Sequence, residues 1–259
     1  MGGRLATQLE EVSSDPSVLA DGNFWAIVIT FEGEMTFARF ATVEDAQFPE
    51  SEWSEIATPW HSSFDRDGYI SYVNAIREEI AAGGVYQVNA CYELTNQLTQ
   101  ANQSLSGLFS QLIAKNPAPY AQYLHLPELE IASASPERLV SRRGQEITTS
   151  PIKGTIRADE KVFGAKDKAE NLMIVDLMRN DLARACQSGT VRVHEARSME
   201  THGTVVHGVA EIHGQLTTGC DRAALLGSTF PPGSITGAPK IRAMQVINEL
   251  EKFSRGPYC

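Results

Sequence analysis

Apolar positions along the chain recur at two spacings, every second residue in some stretches and every third or fourth in others, and the switches between them predict the elements. Phe24 to Phe31 is a nearly unbroken apolar run that predicts a strand, turned by Glu32-Gly33-Glu34 into a second from Met35 to Phe40. Asp67-Gly68 opens a helix whose Tyr69, Tyr72, Val73, Ile76 and Ile80 share a face, and Gly83-Gly84 ends it. Val85 to Leu94 alternates as a strand. Ser104 suits the N-cap of a helix carrying Leu105, Leu108, Phe109, Leu112 and Ile113, stopped by Pro117 and Pro119. Strands are expected over Tyr120 to Leu126 and Leu129 to Ala134. Lys166 to Cys186 predicts a long helix, Thr190 to Ala196 and Thr204 to His213 two strands, Ala223 to Ser228 a short helix and Lys240 to Glu251 a last one. Residues up to about Asp21 are polar and weakly patterned, which predicts a frayed lead. Glu44 to Asp67 is acidic, contains Pro49 and Pro59, and predicts a long surface connection. Strands and helices mix without strict βαβ alternation, so the expected class is α+β.

The middle of the chain, SASPERLVSRRGQEITTSPIKGTIR from Ser133 to Arg157, predicts a hairpin. Arg138 to Ser141 and Gln145 to Thr149 are its strands, Arg142-Arg143-Gly144 its turn. Such a fold carries Glu137, just after a Ser-Pro turn, back towards Lys153, so that an acid and an amine can serve one pocket. A lysine between Ile152 and Gly154 is either a surface cation or a nucleophile whose neutral amine is released by burial, and both readings stand on the residues alone.

With 259 residues and 42% hydrophobic content the chain can bury a sizeable core. The net charge of −10 at pH 7 opposes non-specific nucleic-acid binding, which needs a basic face. It also means that an anionic substrate needs a locally positive pocket or a metal ion. No apolar run approaches the roughly 20 residues of a membrane span, and the first residues lack the regions of a signal peptide. Cys91, Cys186, Cys220 and Cys259 have no CxxC spacing, which fits reduced thiols in a cytoplasmic protein. His194, His202, His207 and His213 are not spaced as a zinc site.

Six blocks occur in order: SPERLV, SPIKGT, AENLMIVDLMRNDLAR, HGVAEIHGQL, GSITGAPKIRAM and ELE…RGPYC. Together they resemble the chorismate-utilising enzymes, a family that includes aminodeoxychorismate synthase component I, anthranilate synthase component I, and isochorismate and salicylate synthases. The resemblance runs from about Asp65 to Cys259. It implies a β-sandwich core of the anthranilate synthase component I type flanked by helices, with a divergent region over 1–64 that contains a short β-hairpin and a catalytic domain over 65–259. Family members continue further, so the resemblance also implies a chain lacking its C-terminal segment. Anthranilate synthases read PIAGT where this chain reads Pro151-Ile152-Lys153-Gly154-Thr155, and aminodeoxychorismate synthases read PIKGT.

The resemblance to the latter implies amination of chorismate to 4-amino-4-deoxychorismate, on the folate and para-aminobenzoate route, with ammonia supplied by a glutamine amidotransferase subunit. The alternatives are anthranilate synthase component I and a catalytically silent fragment. It further implies Lys153 as the nucleophile, Glu137 as general acid and base, and His207, from the pattern HxVxxxxGxL, beside the ring. Glu170 matches a Mg²⁺ ligand, and Asp167 stands where a second acid often lies; both equally suit the positive end of a helix. Thr155, Ser234, Gly237, Ala238, Lys240 and Tyr258 match substrate contacts. Where the family's glycine loop begins Pro-Gly-Gly, this chain has Pro231-Pro232-Gly233, and Pro232 removes a donor and fixes φ there.

Overall fold

A computed structural model describes residues 3–98, 103–157, 159, 165–202 and 205–258; the side chains at 153, 165–171, 195–197, 202 and 258 lie outside that description. In chain order the elements begin with strands β1 (Arg4–Ser13), β2 (Trp25–Ile29), β3 (Met35–Asp45) and β4 (His61–Ser62), helix α1 (Arg66–Ala81), strands β5 (Gln87–Val88) and β6 (Leu94–Thr95), and helix α2 (Ser106–Lys115). Next come β7 (Tyr120–Leu126), β8 (Leu129–Ser135), β9 (Arg138–Arg143), β10 (Glu146–Ser150), β11 (Ile152–Arg157) and helix α3 (Ala165–Ala183). The chain closes with β12 (Arg192–His202), β13 (Val205–Gln215), helices α4 (Arg222–Thr229) and α5 (Gly233–Thr236), β14 (Gly237–Ala238) and α6 (Lys240–Leu250). The mixture is α+β, as the sequence pattern predicts.

The chain divides into two compact units, one formed by Met1–Ile27, Thr36–Ser54 and Ser104–Phe230, the other by Val28–Met35, Glu55–Gln103 and Pro231–Cys259. Each draws on segments from both sides of residue 64. In the first unit β13 is the central strand. It pairs antiparallel with β10 and β11 in succession along one edge and with β12 along the other, and β9 completes the sheet outside β10. Helix α3 lays Ile174, Val175, Met178 and Leu182 on this sheet against Ile147, Ala210 and Ile212. These positions repeat at helical spacing on α3 and alternate on β13, which is why one face of each is buried. Each large side chain so buried contributes about 1.5–3 kcal/mol.

The N-terminal stretch corrects the expected frayed lead. It forms β1, paired antiparallel with β3, followed by a 3-10 turn over Pro16–Asp21 that buries Leu19. A bulge between Leu9 and Glu11, next to Gln8 at φ 60°, breaks the period-two pattern and hides the strand from sequence reading. Strand β3 correspondingly runs to Asp45 rather than Phe40. Helix α2 also differs from expectation. Its N-cap position is Leu105, not Ser104, and the cap comes from Glu130 on β8. The Glu130 carboxylate accepts from Leu105 N–H at 3.0 Å, from Ser104 Oγ at 2.5 Å and from Tyr123 Oη. Burial opposes ionisation of Glu130, but these donors outweigh it and hold the carboxyl below its ordinary range.

In the second unit α1 is capped by Asp65, whose side chain accepts from Gly68 N–H at 2.7 Å. It buries Tyr72 and Ile76 against Val85, Ala243 and Val246. The predicted strand over Val85 to Leu94 shrinks to β5 and β6. On either side of β5 the backbone bonds the glycine-rich loop instead, with Tyr86 N–H donating to Ala238 O at 2.7 Å and Asn89 N–H to Thr236 O at 2.9 Å. Among the described residues no helix is long and apolar enough to cross a membrane.

Candidate active site

The PIKGT block forms β11, and its pairing with β13 is irregular at one place. Ile152 pairs with Val209 and Thr155 with His207. Lys153 and Gly154 therefore oppose the single residue Gly208, which makes a β-bulge. Gly154 takes φ 83°, a conformation that favours glycine. A bulge bends a strand and re-aims the side chains around it, so Lys153 stands at the one point of this pairing where regular alternation is suspended.

Glu137 reaches the same point from the other end of the hairpin. Its Oε2 accepts from Ile152 N–H at 3.2 Å, which puts the carboxylate on the peptide directly before Lys153. The Ser-Pro turn holds its backbone. Ser135 Oγ donates to Glu137 O at 3.0 Å and accepts from Glu137 N–H at 3.3 Å. The observed turn between β9 and β10 is shorter than predicted, with Arg143 pairing Glu146 across Gly144-Gln145. Glu137 and the Lys153 backbone are thus brought together; the Lys153 side chain lies outside the described residues.

His207 lies on β13, half-buried, between Thr155 on β11 and Glu200 on β12 in register. Its Nδ1 is 2.9 Å from Thr155 Oγ1. That contact turns the ring and fixes which nitrogen is presented elsewhere. His213, six residues further along β13, has a different environment. Glu146 Oε1 lies 3.0 Å from its Nδ1 and Glu211 Oε1 2.5 Å from its Nε2. Burial works against protonation, but the two carboxylates prevail and raise its pKa above the ordinary value. Asp167 and Glu170 fall in the first two turns of α3, which packs against β11 and β13. Their side chains lie outside the described residues. Two carboxylates three residues apart at a helix start are an oxygen donor set of the kind Mg²⁺ takes.

The remaining predicted residues belong to the second unit. Pro232 takes the N-cap position of the one-turn helix α5 at φ −68°, where its ring fits and no N–H is needed. Its carbonyl accepts from Thr236 Oγ1 at 3.1 Å. Ser234 is buried. Gly237 and Ala238 form β14 against Val88 and Gln87. Gly237 is required by contact: a Cβ there would lie 2.1 Å from Gln87 O, and φ is 147°. Lys240 opens α6, and its Nζ donates to Pro231 O at 3.2 Å, tying the two ends of the loop. Tyr258 ends a 3-10 turn over Gly256–Tyr258, and its side chain lies outside the described residues.

Sequence reasoning passed over the residues that hold this loop. Asn89 Nδ2 donates to Ser234 O at 2.6 Å. Arg255, nearly fully buried, grips Glu251 with two donors, Nε to Oε2 at 2.8 Å and Nη2 to Oε1 at 2.6 Å. It also donates from Nη1 to Ile235 O at 3.2 Å and from Nη2 to Asn89 O at 2.7 Å. Tyr72 Oη donates to Glu251 Oε1 at 2.5 Å. Burial alone would weaken the Arg255 charge, but Glu251 more than restores it and raises its pKa. Burial first, then the Glu251 carboxylate, pushes the Tyr72 phenol well above its ordinary value. In the sequence Glu251 and Arg255 lie four residues apart inside the ELE…RGPYC block, but nothing there marks their link to Asn89 and the loop.

Known proteins of similar sequence and structure show the family. Aminodeoxychorismate synthase component 1 of Bacillus subtilis is 38% identical over 215 residues, covering 79% of this chain and 45% of that protein. Anthranilate synthase component 1 of Thermus thermophilus is also 38% identical, over 210 residues, covering 77% of this chain and 45% of its own length. The chain thus spans about half the length of these relatives. The crystal structure of anthranilate synthase component I from Streptococcus pneumoniae superposes with a TM-score of 0.75 at 22% identity, over 99% of this chain and 67% of that one, and shows the fold. The profile of the chorismate binding enzymes matches residues 30–259. The chain belongs to the chorismate binding enzyme family.

Proposed function

We propose that this chain aminates chorismate to 4-amino-4-deoxychorismate, as component I of an aminodeoxychorismate synthase, with ammonia from a glutamine amidotransferase partner. The observation that carries the reading is the bulge at Lys153-Gly154 with the Glu137 carboxylate on the preceding peptide. An amine and an acid at one strand irregularity suit a displacement that needs both.

The C4 hydroxyl of chorismate leaves poorly as hydroxide. In the proposed route the neutral Lys153 amine adds at C2, both double bonds of the conjugated ring shift by one position, and the C4–O bond breaks. Glu137 delivers the proton that lets the oxygen leave as water, and the lysine nitrogen loses its extra proton. Ammonia then adds at C4, both double bonds shift back, and the C2–N bond breaks, with a proton returning to the lysine. His207, turned by Thr155, takes or gives protons beside the ring. Asp167 and Glu170 would hold Mg²⁺, which when bound neutralises a substrate carboxylate that a chain of net charge −10 would otherwise repel. Thr155, Ser234, Gly237, Ala238, Lys240 and Tyr258 are proposed to contact the substrate.

A second reading, amination in the manner of anthranilate synthase, draws on the equal identity to a relative of that name. Incubation with chorismate, Mg²⁺ and an ammonium salt separates the two by product. The first reading predicts 4-amino-4-deoxychorismate; anthranilate would overturn it.

A further inference from the structure

Three consecutive carbonyls of the α5 turn are taken by two residues outside the loop. Ser234 O receives Asn89 Nδ2 at 2.6 Å, Ile235 O receives Arg255 Nη1 at 3.2 Å, and Thr236 O receives Asn89 N–H at 2.9 Å. Asn89 is itself tied to Arg255, whose Nη2 donates to its carbonyl at 2.7 Å. These three described bonds thus come from Arg255 itself or from Asn89, whose carbonyl Arg255 holds. That guanidinium is oriented in turn by the Glu251 fork, by the Phe31 ring 4.9 Å from it, and by Tyr72 through Glu251.

The backbone of Arg255 does a second job. Its N–H donates to Glu32 Oε1 at 2.7 Å and the next N–H, of Gly256, to Glu32 Oε2 at 3.2 Å, while Phe31 N–H donates to Gly256 O at 2.8 Å. These bonds set the start of the 3-10 turn that ends at Tyr258. A planar, five-donor group is the one side chain able to serve a carboxylate and two backbone carbonyls at once; a lysine ammonium at that depth lacks the fork.

We propose that Arg255 is a positioning residue: oriented by Glu251, it locks the 234–236 turn, directly and through Asn89, beside the segment bearing Tyr258 into one preformed receptor for a substrate carboxylate. This rests on the reading above, in which both segments contact chorismate. A preformed receptor lowers the ordering that binding must otherwise supply, so loosening it weakens substrate binding more than the chemical step.

The test uses the full chain with chorismate, Mg²⁺ and ammonium, comparing wild type with Arg255→Lys. Glu251→Asp retains the charge but shortens the reach, and carries the same prediction if Arg255→Lys does not yield folded protein by circular dichroism. Both variants are expected to raise KM for chorismate by about tenfold or more with kcat within about threefold. Amide exchange across 233–238 is expected to speed up by about tenfold, while the sheet strands β10 and β13 keep their protection. An unchanged KM in a folded variant, or a fall in kcat alone, overturns the proposal. A wild type that shows no saturable response to chorismate overturns the functional reading and this proposal with it. A normal wild type with an indifferent variant overturns only the role of Arg255.

Discussion

Replacing Gly237 by alanine is the most demanding test of the glycine loop, because the structure sets its effect from two independent causes. The backbone there has φ 147° and ψ −170°, a region held almost only by glycine, and placing a side chain in it costs about 1–3 kcal/mol. The added Cβ would lie 2.1 Å from Gln87 O and 3.0 Å from Ala243 Cβ. The first neighbour is backbone and cannot rotate away. Relief requires β14 to move off β5, which stretches Tyr86 N–H to Ala238 O and Asn89 N–H to Thr236 O, now 2.7 and 2.9 Å. Each bond contributes about 0.5–1.5 kcal/mol, so the two causes together predict a loss of about 2–6 kcal/mol. Urea unfolding followed by circular dichroism measures it. Gly227→Ala is the control: it lies inside α4 with nothing within 4 Å of an added Cβ, and is expected to be neutral or to stabilise by up to about 1 kcal/mol. A loss below about 1 kcal/mol for Gly237→Ala would refute the argument from contact.

Three further outcomes follow from the described contacts. Glu130→Ala removes the acceptor shared by Leu105 N–H, Ser104 and Tyr123, and is expected to destabilise by about 2 kcal/mol at pH 7 in a urea titration. Because the folded state holds the Glu130 carboxyl below its ordinary value, this advantage over the variant is present above the ordinary value of 4.5 and disappears as pH falls through the folded pKa. His213 behaves in the opposite sense: its folded pKa is raised, so its pairing with Glu146 and Glu211 stabilises fully below 6.5 and fades as pH climbs through the folded pKa. Wild type and His213→Gln should therefore converge in urea midpoint at alkaline pH, and a gap that is flat across that range would contradict the pairing. Thr155→Val removes the hydroxyl 2.9 Å from His207 Nδ1; turnover is expected to fall by about threefold with little change in melting temperature, since the pair is exposed.

Elements that bury one regular face were legible in the chain. The face of α1 comes from its apolar spacing, and β10 and β13 lie close to where the pattern puts them. Helix α6 departs from the reading that Ile241, Met244, Ile247 and Leu250 share its inner face: it buries Ala243, Val246 and Ile247 and leaves Ile241 exposed. Three places resisted because a partner distant in sequence decides them. Strand β1 carries a bulge that shifts its alternation, so its pairing with β3 leaves no periodic trace. The Val85 to Leu94 stretch alternates like a strand, yet its donors go to the loop at 236–238. Ser104 looks like a cap, but it hands that role to Glu130, 26 residues away. The candidate site divides in the same way. Thr155 and His207 sit on paired strands and Glu137 just before β9, all three near the Lys153 backbone, and the motifs named them. Arg255 and Asn89 act through tertiary contact: the ELE…RGPYC block holds Arg255 four residues after Glu251, but neither it nor Asn89 shows in the sequence which carbonyls it holds.

The account turns on a covalent bond from Lys153 to the substrate ring. Peptide mapping by mass spectrometry, after wild type is quenched during turnover of chorismate without ammonia, measures it directly. The account predicts a dehydrated chorismate adduct on the peptide containing Lys153, absent from Lys153→Ala and discharged when ammonium is added. Product formation by a protein whose Lys153 stays unmodified throughout would contradict it.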